Sequence, residues 1–362
     1  MAIRQCALED LVTTMGFWQG KKVLITGHTG FKGAWLSEML IGRGAQLHGI
    51  ALPPEQDESL FQKLQLATRM SGTFLDIRDA DALARDVQSF APDIVLHLAA
   101  QALVRRSYRD PAETFATNVM GTVHLLESLR QLEKPVTAVI VTTDKVYENS
   151  EWVHAYREND PLGGHDPYSA SKAATELVTS SWRRSFGSPR LKIASARAGN
   201  VIGGGDWSED RLVPDIIRAL KAEKAIEIRN PASIRPWQHV LDPLDGYLTL
   251  AEKLHEAASN AFQSGYNFGP EPADIHSVQT LAEAVIRHWP GQWSDVSDPS
   301  AVHEAGRLSL SIDKARSELG WAPVWCFEET IARTIDWYRQ VELGADPLQL
   351  TRDQIAAFEA AK

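Results

Sequence analysis

Cysteine is scarce in this sequence of 362 residues, which contains only Cys6 and Cys326. Two thiols so far apart in the chain cannot form a four-thiolate zinc site or a framework of disulfide bonds. We therefore expect two free thiols, no metal centre and a reducing, cytoplasmic location.

Long apolar runs and an excess of basic residues are also missing. No apolar run approaches the ~18 residues that span a membrane, and Glu9 and Asp10 lie where a signal peptide would need an apolar core. Lys and Arg number 37 against 47 Asp and Glu, a formal net charge of −10. This balance argues against a nucleic-acid surface or a polybasic membrane patch, but an anionic ligand remains compatible with a locally basic pocket.

The first 200 residues or so alternate between short apolar runs and helical patterns. The runs cover 22–26, 46–52, 94–98, 138–142 and 192–197, and the helical patterns cover 31–40, 79–90, 111–132 and 168–186. This alternation predicts an α/β fold with a Rossmann-type, doubly wound parallel sheet. Beyond residue 199 the alternation breaks, which predicts a smaller, mixed α/β substrate-binding domain.

These patterns suggest a division into domains. We predict an N-terminal extension over 1–16 and a dinucleotide-binding domain over 17–197, to which 238–270 is expected to return. The substrate-binding domain is predicted to consist of 198–237 and 271–362.

The first strand-like run leads directly into a glycine-rich turn and then a helix. Gly27, Gly30 and Gly33 would allow a tight turn, a close approach to a pyrophosphate and close helix–strand packing. In this context the pattern predicts dinucleotide binding, with a purely structural turn as the alternative.

The second strand ends without the acid that usually binds the adenosine ribose, so the residues alone leave open whether the cofactor is NAD or NADP. Asp76, after the third strand, is a substitute acid, unless it caps the following helix.

Tyr168 and Lys172 are four residues apart, so on a helix both side chains share one face. A phenol is a poor base at neutral pH, but a nearby ammonium favours its phenolate. The pair is therefore a candidate general base, with a surface hydrogen bond as the alternative.

These motifs resemble the extended short-chain dehydrogenase/reductase family, whose glycine loop has the same G-x-x-G-x-x-G spacing. Asp144-Lys145 resembles the acid–base dipeptide of the sugar-nucleotide 4,6-dehydratases, and Asp-Lys in particular resembles the group that acts on CDP-glucose; a salt-bridged loop pair is the alternative. The resemblance runs from Phe17 to about Tyr338. It rests on six blocks in order: 27–33, 98–101, 144–147, 203–207, 235–240 and 319–323.

The resemblance implies NAD as the cofactor and an internal redox reaction with loss of water. It also implies a third catalytic residue, a Ser or Thr at the end of a preceding strand, which here is Thr143, with Thr142 as its neighbour. Tyr168 would accept the sugar O4 proton while hydride passes from C4 to NAD; Lys145 would remove the C5 hydrogen, and Asp144 would protonate the departing O6 before hydride returns to C6. A direct ion pair between Asp144 and Lys145 would oppose both roles. The implied cofactor-binding residues are Gly27, Thr29, Gly30, Phe31, Lys32, Gly33, Asp76, Ile77, Leu98, Ala99, Ala100, Thr142, Tyr168 and Lys172.

The resemblance also implies a nucleotide-sugar site, and it implies pairing of the 111–132 and 168–186 helices in a homodimer or dimer of dimers. The implied substrate-binding residues are Asn200, Arg211, Leu212, Arg235, Asn267 and Arg307. For each arginine the alternative is a solvated surface charge. Cytosine follows from the resemblance alone, and the family commonly serves bacterial surface polysaccharides. The rival hypotheses are a dTDP- or GDP-sugar dehydratase, an epimerase, or a non-catalytic NAD-binding sensor.

Overall fold

The computed structural model describes residues 16–56, 58–298 and 305–362. Its strands are β1 Lys22–Thr26, β2 Gln46–Ala51, β3 Ser71–Phe74, β4 Ile94–His97, β5 Val136–Thr142, β6 Leu191–Ala198, β7 Val201–Ile202, β8 Ile226–Ile228, β9 Ile234–Pro236, β10 Gln238–His239, β11 Gly265–Phe268, β12 Ile275–Ser277 and β13 Trp293–Asp295. Its α-helices are α1 Phe31–Gly42, α2 Leu60–Lys63, α3 Ala80–Phe90, α4 Val104–Arg109, α5 Pro111–Phe115, α6 Gly121–Arg130, α7 Pro167–Phe186, α8 Leu212–Lys221, α9 Leu241–Glu256, α10 Val278–His288, α11 Phe327–Glu342 and α12 Pro347–Ala361.

A seven-stranded parallel sheet lies at the centre, with the order β11-β6-β5-β4-β1-β2-β3. Because parallel strands need crossover connections on both faces, such a sheet is buried between helical layers. Strands β1 to β6 lie in the order 3-2-1-4-5-6, which is that of a doubly wound dinucleotide-binding fold. The predicted α/β, Rossmann-type fold is therefore confirmed.

Side chains of the central strand β5 alternate between two apolar cores. Ala138 and Ile140 pack into the core that contains residues of α3, α6 and α7. Val139 and Val141 pack into the larger core, which contains residues of α1, α9, α11 and α12. All seven residues of β5 are buried, which explains why this strand reads as a continuous apolar run.

The second half of the chain adds small sheets beside the main one. β7 pairs with β10 and β8 with β13 in parallel, while β9 and β12 are antiparallel. Segment 238–270 contributes α9, which contacts β5 and β6, and β11, which extends the main sheet. The domain boundaries stay a prediction, and these contacts support the expected return of this segment. Of the predicted N-terminal extension only Gly16 lies within the described residues.

The structure differs from the sequence-based prediction in the 111–132 segment, where one helix was expected. The segment contains α5, a π-helical turn over Ala116–Met120, and α6. The turn includes the buried Asn118, whose amide hydrogen-bonds to Gln101 and Ser171. A π turn changes the direction of side chains inside a helix, and here it accompanies an inward-facing polar group that apolar periodicity does not detect.

No helix of the described residues is long and apolar enough to cross a membrane, and these residues contain no cluster of His, Cys, Asp and Glu suited to a metal ion. Cys326 is an exposed free thiol at the start of α11. Cys6 lies outside the described residues.

We predict that Trp337→Ala, on α11, strongly lowers the free energy of unfolding. The Trp337 side chain is fully buried, its indole nitrogen donates to Thr351, and its ring fills the space beside Gly204. Removing such a side chain typically costs about 3–5 kcal/mol because it leaves a cavity. Urea unfolding would measure the loss, with Trp152→Ala as the control, since Trp152 is 45% exposed. Equal losses in both variants would contradict this account of the core.

Candidate active site

A cleft of about 1550 Å³ opens at the carboxyl ends of the parallel strands. It is lined by residues that follow six strands of the main sheet: Gly27, Leu52, Leu75, Leu98, Thr143 and Gly199. In open α/β sheets ligands bind at this edge, because the loops there converge while the strands hold them rigidly. The other wall of the cleft comes from the second half of the chain and includes α8 and β9.

The glycine loop leaves no room for side chains at two of its positions. Gly27 has a φ of +78°, and a Cβ there would lie 2.8 Å from the Ala99 backbone nitrogen. A Cβ on Gly33 would lie 2.1 Å from the Gly27 carbonyl oxygen. Gly30 begins α1 without a side-chain cap. The backbone amides of the first helical turn can therefore donate hydrogen bonds to an anion in the cleft.

The remaining predicted cofactor residues lie around this loop. The Thr29 hydroxyl donates to the Leu52 carbonyl at 3.0 Å. Both oxygens of Asp76 accept hydrogen bonds from the Arg78 guanidinium, which lowers the pKa of the Asp76 carboxyl. Asp79 is the residue that caps α3, so the alternative of Asp76 as the helix cap is wrong. Also lining the cleft are Phe31, Lys32, Ile77, Leu98, Ala99 and Ala100.

Lys32 extends from the glycine loop into the interior of the site. Its amine lies 3.4 Å from the Tyr247 hydroxyl, and the residue is half-buried. Burial, together with the neighbouring Arg211 guanidinium, lowers the pKa of Lys32 to about 7, while Asp144 opposes the change.

The structure brings Thr143, Tyr168 and Lys172 together at the end of β5. All three are buried, and the Tyr168 and Thr143 side chains are hydrogen-bonded to each other. Tyr168 and Lys172 lie in the first turns of α7, whose N-terminus is capped by the Asp166 carboxylate. Burial raises the pKa of Tyr168 to about 12 and lowers the pKa of Lys172 to about 8.

The Asp144-Lys145 dipeptide follows in a single 3-10 turn. Asp144 is 1% exposed; one of its oxygens accepts from the Thr143 hydroxyl at 2.9 Å, and the other has no hydrogen-bond partner among the described residues. Lys145 is half-buried and lines the cleft, and within the described part of the chain no carboxylate lies within 4.0 Å of its amine. The ion pair that would oppose both catalytic roles is therefore not formed.

One predicted cofactor contact has another partner. The Thr142 hydroxyl donates to Glu176 at 2.6 Å and is buried. Thr142 does line the cleft, but its hydroxyl faces the helix behind it, because residues alternate sides along a strand. The candidate hydroxyl at the site is thus that of Thr143.

Four of the predicted substrate residues line the cleft and two do not. Asn200 has a φ of +48°, Arg211 pairs with Asp206 at 3.1 Å, Leu212 begins α8, and Arg235 is 7% exposed on β9. As a correction, Asn267 is fully buried behind the site, where its amide donates to the Tyr156 and Ser311 carbonyls. Arg307 also lies off the cleft wall, next to Leu308, which does line it.

Sequence reasoning missed two polar residues that hold the site. Asn118 joins the loop after β4 to α7 through Gln101 and Ser171. Asp206 accepts from Arg211 and so holds this arginine at the cleft. Asn118 is a polar residue inside a helical pattern, and apolar periodicity does not reveal that it faces inward.

A parallel sheet with a glycine loop at its carboxyl edge and a Tyr-x-x-x-Lys pair beside a threonine defines a short-chain dehydrogenase/reductase of the extended type. The family model described as GDP-mannose 4,6 dehydratase matches residues 24–334, and the chain belongs to this family.

Relatives within this family include characterised dehydratases. The chain is 46% identical over 352 residues to the CDP-glucose 4,6-dehydratase of Salmonella typhimurium, which covers 95% of this chain and 98% of that protein. It is 28% identical to the dTDP-glucose 4,6-dehydratase of Xanthomonas campestris, over 87% of this chain and 92% of the relative. Among solved structures, the dTDP-glucose 4,6-dehydratase of Streptomyces venezuelae with NAD bound is similar with a TM-score of 0.77 and 26% identity, over 90% of this chain and 99% of that one.

We predict that Gly33→Ala destabilises the protein, whereas Gly42→Ala at the other end of α1 does not. The Gly33 Cβ would collide with the Gly27 carbonyl, and the loop would have to shift, at a cost of about 1–3 kcal/mol. Nothing lies within 4 Å of a Cβ at Gly42, where alanine is expected to stabilise the helix by about 0.5–1 kcal/mol. Urea unfolding of both variants would test this, and a Gly33→Ala protein as stable as the unmodified chain would refute the close packing.

Proposed function

We propose that the protein converts CDP-glucose to CDP-4-dehydro-6-deoxyglucose and water. The observation that carries this proposal is the Asp144-Lys145 turn directly beside the Thr143–Tyr168 pair. An epimerase needs a group that removes one hydroxyl proton, whereas a dehydratase also needs an acid and a base for the elimination. The 46% identity to a CDP-glucose 4,6-dehydratase over nearly the whole chain supports the choice of substrate.

The test is incubation with a panel of CDP-, dTDP-, GDP- and UDP-glucose, followed by detection of the 4-keto-6-deoxy product from its absorbance in alkali. Product from CDP-glucose alone supports the proposal. Product from another nucleotide sugar instead would favour a different dehydratase, and no product with NAD still bound would favour a sensor.

The residues of the glycine loop fit NAD. The loop packs so closely at Gly33 that no Cβ fits there, and the N-terminus of α1 has no side-chain cap. The backbone of this turn can therefore bind a pyrophosphate. Asp76 and Ile77 line the cleft where the adenine would lie. When bound, NAD supplies the acceptor and the donor for hydride at the sugar.

Tyr168 is suited to take the O4 proton of the sugar. Its pKa, raised to about 12 by burial, shows that it needs stabilisation as a phenolate to act at neutral pH. The hydrogen bond with Thr143 and the Arg211 guanidinium lower the pKa of Tyr168 against this effect of burial, and the Lys172 ammonium adds positive charge on the same face of the helix. We assign Tyr168 as the base of the oxidation step, with Thr143 aligning the sugar hydroxyl.

Lys145 and Asp144 are suited to the elimination. The Lys145 amine has no carboxylate partner within 4.0 Å among the described residues and so remains available to take the C5 proton. The buried Asp144 carboxyl has one oxygen without a partner and can deliver a proton to O6. Proton transfer of this kind typically contributes ~10²–10⁴-fold to a rate.

The nucleotide part of the substrate brings negative charge to a protein with a net charge of −10. Arg211 and Arg235 on the second wall of the cleft provide the local compensation. An arginine fork matches the oxygens of a diphosphate, which favours these two residues over a solvated role.

The proposal includes a homodimer in the cytoplasm. On the outer surface of α5, the π turn and α7, the apolar side chains Phe115, Met120 and Leu177 are 40–61% exposed. Exposed apolar side chains on these neighbouring elements favour association with a second copy. The two distant cysteines favour a reducing compartment.

We predict that Tyr168→Phe lowers turnover at least ~10²–10⁴-fold, because the variant lacks the hydroxyl that we assign as the acceptor of the O4 proton. NAD binding, measured by calorimetry, should persist, since the phenylalanine ring preserves the packing. The matched control is Tyr266→Phe, whose hydroxyl is bonded to Glu318 away from the cleft. Turnover near the unmodified level in Tyr168→Phe would refute its assignment.

We predict that Lys145→Ala abolishes the incorporation of solvent deuterium at C5 of the sugar, whereas Asp144→Asn retains it and slows water loss. The physical reason is that only the first variant lacks the group that removes the C5 proton. Mass spectrometry of recovered sugar in D₂O would measure the exchange. If Lys145→Ala exchanges at the unmodified rate, Lys145 acts electrostatically, and Glu148 becomes the next candidate base.

A further inference from the structure

A buried carboxylate that the mechanism above does not use lies behind the site. Glu176 is on α7, one helical turn after Lys172, and is 3% exposed. Its oxygens accept hydrogen bonds from the Thr142 hydroxyl at 2.6 Å, the Ser195 hydroxyl at 2.8 Å and the Arg197 guanidinium at 2.9 Å. Neighbouring strands β5 and β6 therefore both hold this one side chain.

Arg197 continues the connection toward the catalytic turn. Its guanidinium also donates to the Tyr147 hydroxyl at 2.7 Å and lies 5.1 Å from the centre of that ring. Tyr147 directly follows the Asp144–Val146 turn, and its hydroxyl donates to Asn267. The Glu176–Arg197 ion pair thus joins the helix that carries Tyr168 and Lys172 to the segment that carries Asp144 and Lys145.

The charge of Glu176 also acts on Lys172. Residues four apart on a helix are neighbours on one face. The Lys172 amine is buried and donates to the Val141 carbonyl at 3.2 Å. Burial lowers the pKa of Lys172 to about 8, and Glu176 opposes that change. A buried ammonium that has only a neutral carbonyl as a direct partner requires a nearby negative charge to remain protonated.

The other charged and titratable groups around the pair are few. Arg197 from β6 and Arg183 from α7 face Glu176. His97 from β4 and Lys32 from α1 face Lys172. Burial lowers the pKa of His97 to about 3, so at neutral pH it adds no positive charge.

We propose that Glu176 is a positioning residue that, held by Arg197, fixes the catalytic helix against the Asp144–Tyr147 segment and supplies the negative charge that keeps Lys172 in its ammonium form. The consequence for turnover rests on the proposed function, whereas the consequence for Lys172 is independent of it.

The direct test is the titration of Lys172 by NMR in protein labelled with ¹³C at the lysine Cε, with the signal assigned by its loss in Lys172→Arg. Glu176→Gln alone leaves Arg197 buried without a counter-charge. The double variant Glu176→Gln/Arg197→Met is therefore measured as well, since replacing both partners of a buried pair is tolerated better than breaking it.

In both variants we expect the titration midpoint of Lys172 to move to lower pH by about 1 pH unit or more. Arg197→Lys, which keeps the ion pair, should leave the midpoint in place.

Glu38→Gln is the matched control. Glu38 is also a buried glutamate held by arginines, Arg69 and Arg352, but it lies on α1 away from Lys172. The Glu38→Gln variant should lower the stability of the protein without moving the titration midpoint of Lys172. This outcome would separate a general loss of stability from the proposed role of Glu176. A folded double variant with an unchanged Lys172 midpoint would overturn the proposal.

Kinetics connect the result to turnover. If the ammonium form is required, the basic limb of the pH profile for CDP-glucose should move to lower pH together with the NMR midpoint. An unchanged profile in spite of a moved midpoint would overturn the catalytic consequence. Absence of dehydratase activity in the unmodified protein would contradict the proposed function and leave the assignment of Glu176 to be decided by the NMR titration.

Discussion

The parallel pairing of β5 with β4 on one side and β6 on the other is the constraint on which the site depends. This pairing buries all seven residues of β5 and ends the strand at Thr142. The catalytic turn begins at the next residues, so its position is fixed by the register of the sheet. Helix α7 is then tied to the same strand through the Lys172 amine and the Val141 carbonyl, and through Glu176 and Thr142.

Burial of charge is the second physical theme of this cleft. Asp144 and Lys172 are nearly inaccessible to solvent and Lys32 is half-buried, although the chain as a whole is acidic. Desolvation shifts the protonation equilibria of the two lysines toward the neutral form, and nearby carboxylates oppose that shift. The site therefore requires both signs of charge within a small volume, and the balance between them determines which groups can exchange protons near neutral pH.

The polar groups behind the site carry much of its precision. Asn118 in the π turn holds α7 to the loop after β4, and the Glu176–Arg197 pair holds α7 to β6. Asn267, expected at the substrate, belongs to this same supporting layer through its contact with Tyr147. Buried hydrogen-bond networks of this kind restrict the geometry of the groups in front of them.

The sequence by itself determined the α/β fold, the glycine loop and the Tyr168–Lys172 pair, because local periodicity and short spacings encode strands, helices and one face of a helix. Thr143, Asp144 and Lys145 were identified from the resemblance of their short motif to that of the sugar-nucleotide 4,6-dehydratases. Only the tertiary structure decided that the Thr142 hydroxyl faces Glu176, that Asn267 lies behind the cleft and Arg235 in it, and that Asp144 and Lys145 are not paired. Each of these outcomes depends on contacts between residues 30 to more than 100 positions apart or on the rotation of a side chain about its own backbone, and no local pattern in a sequence specifies either.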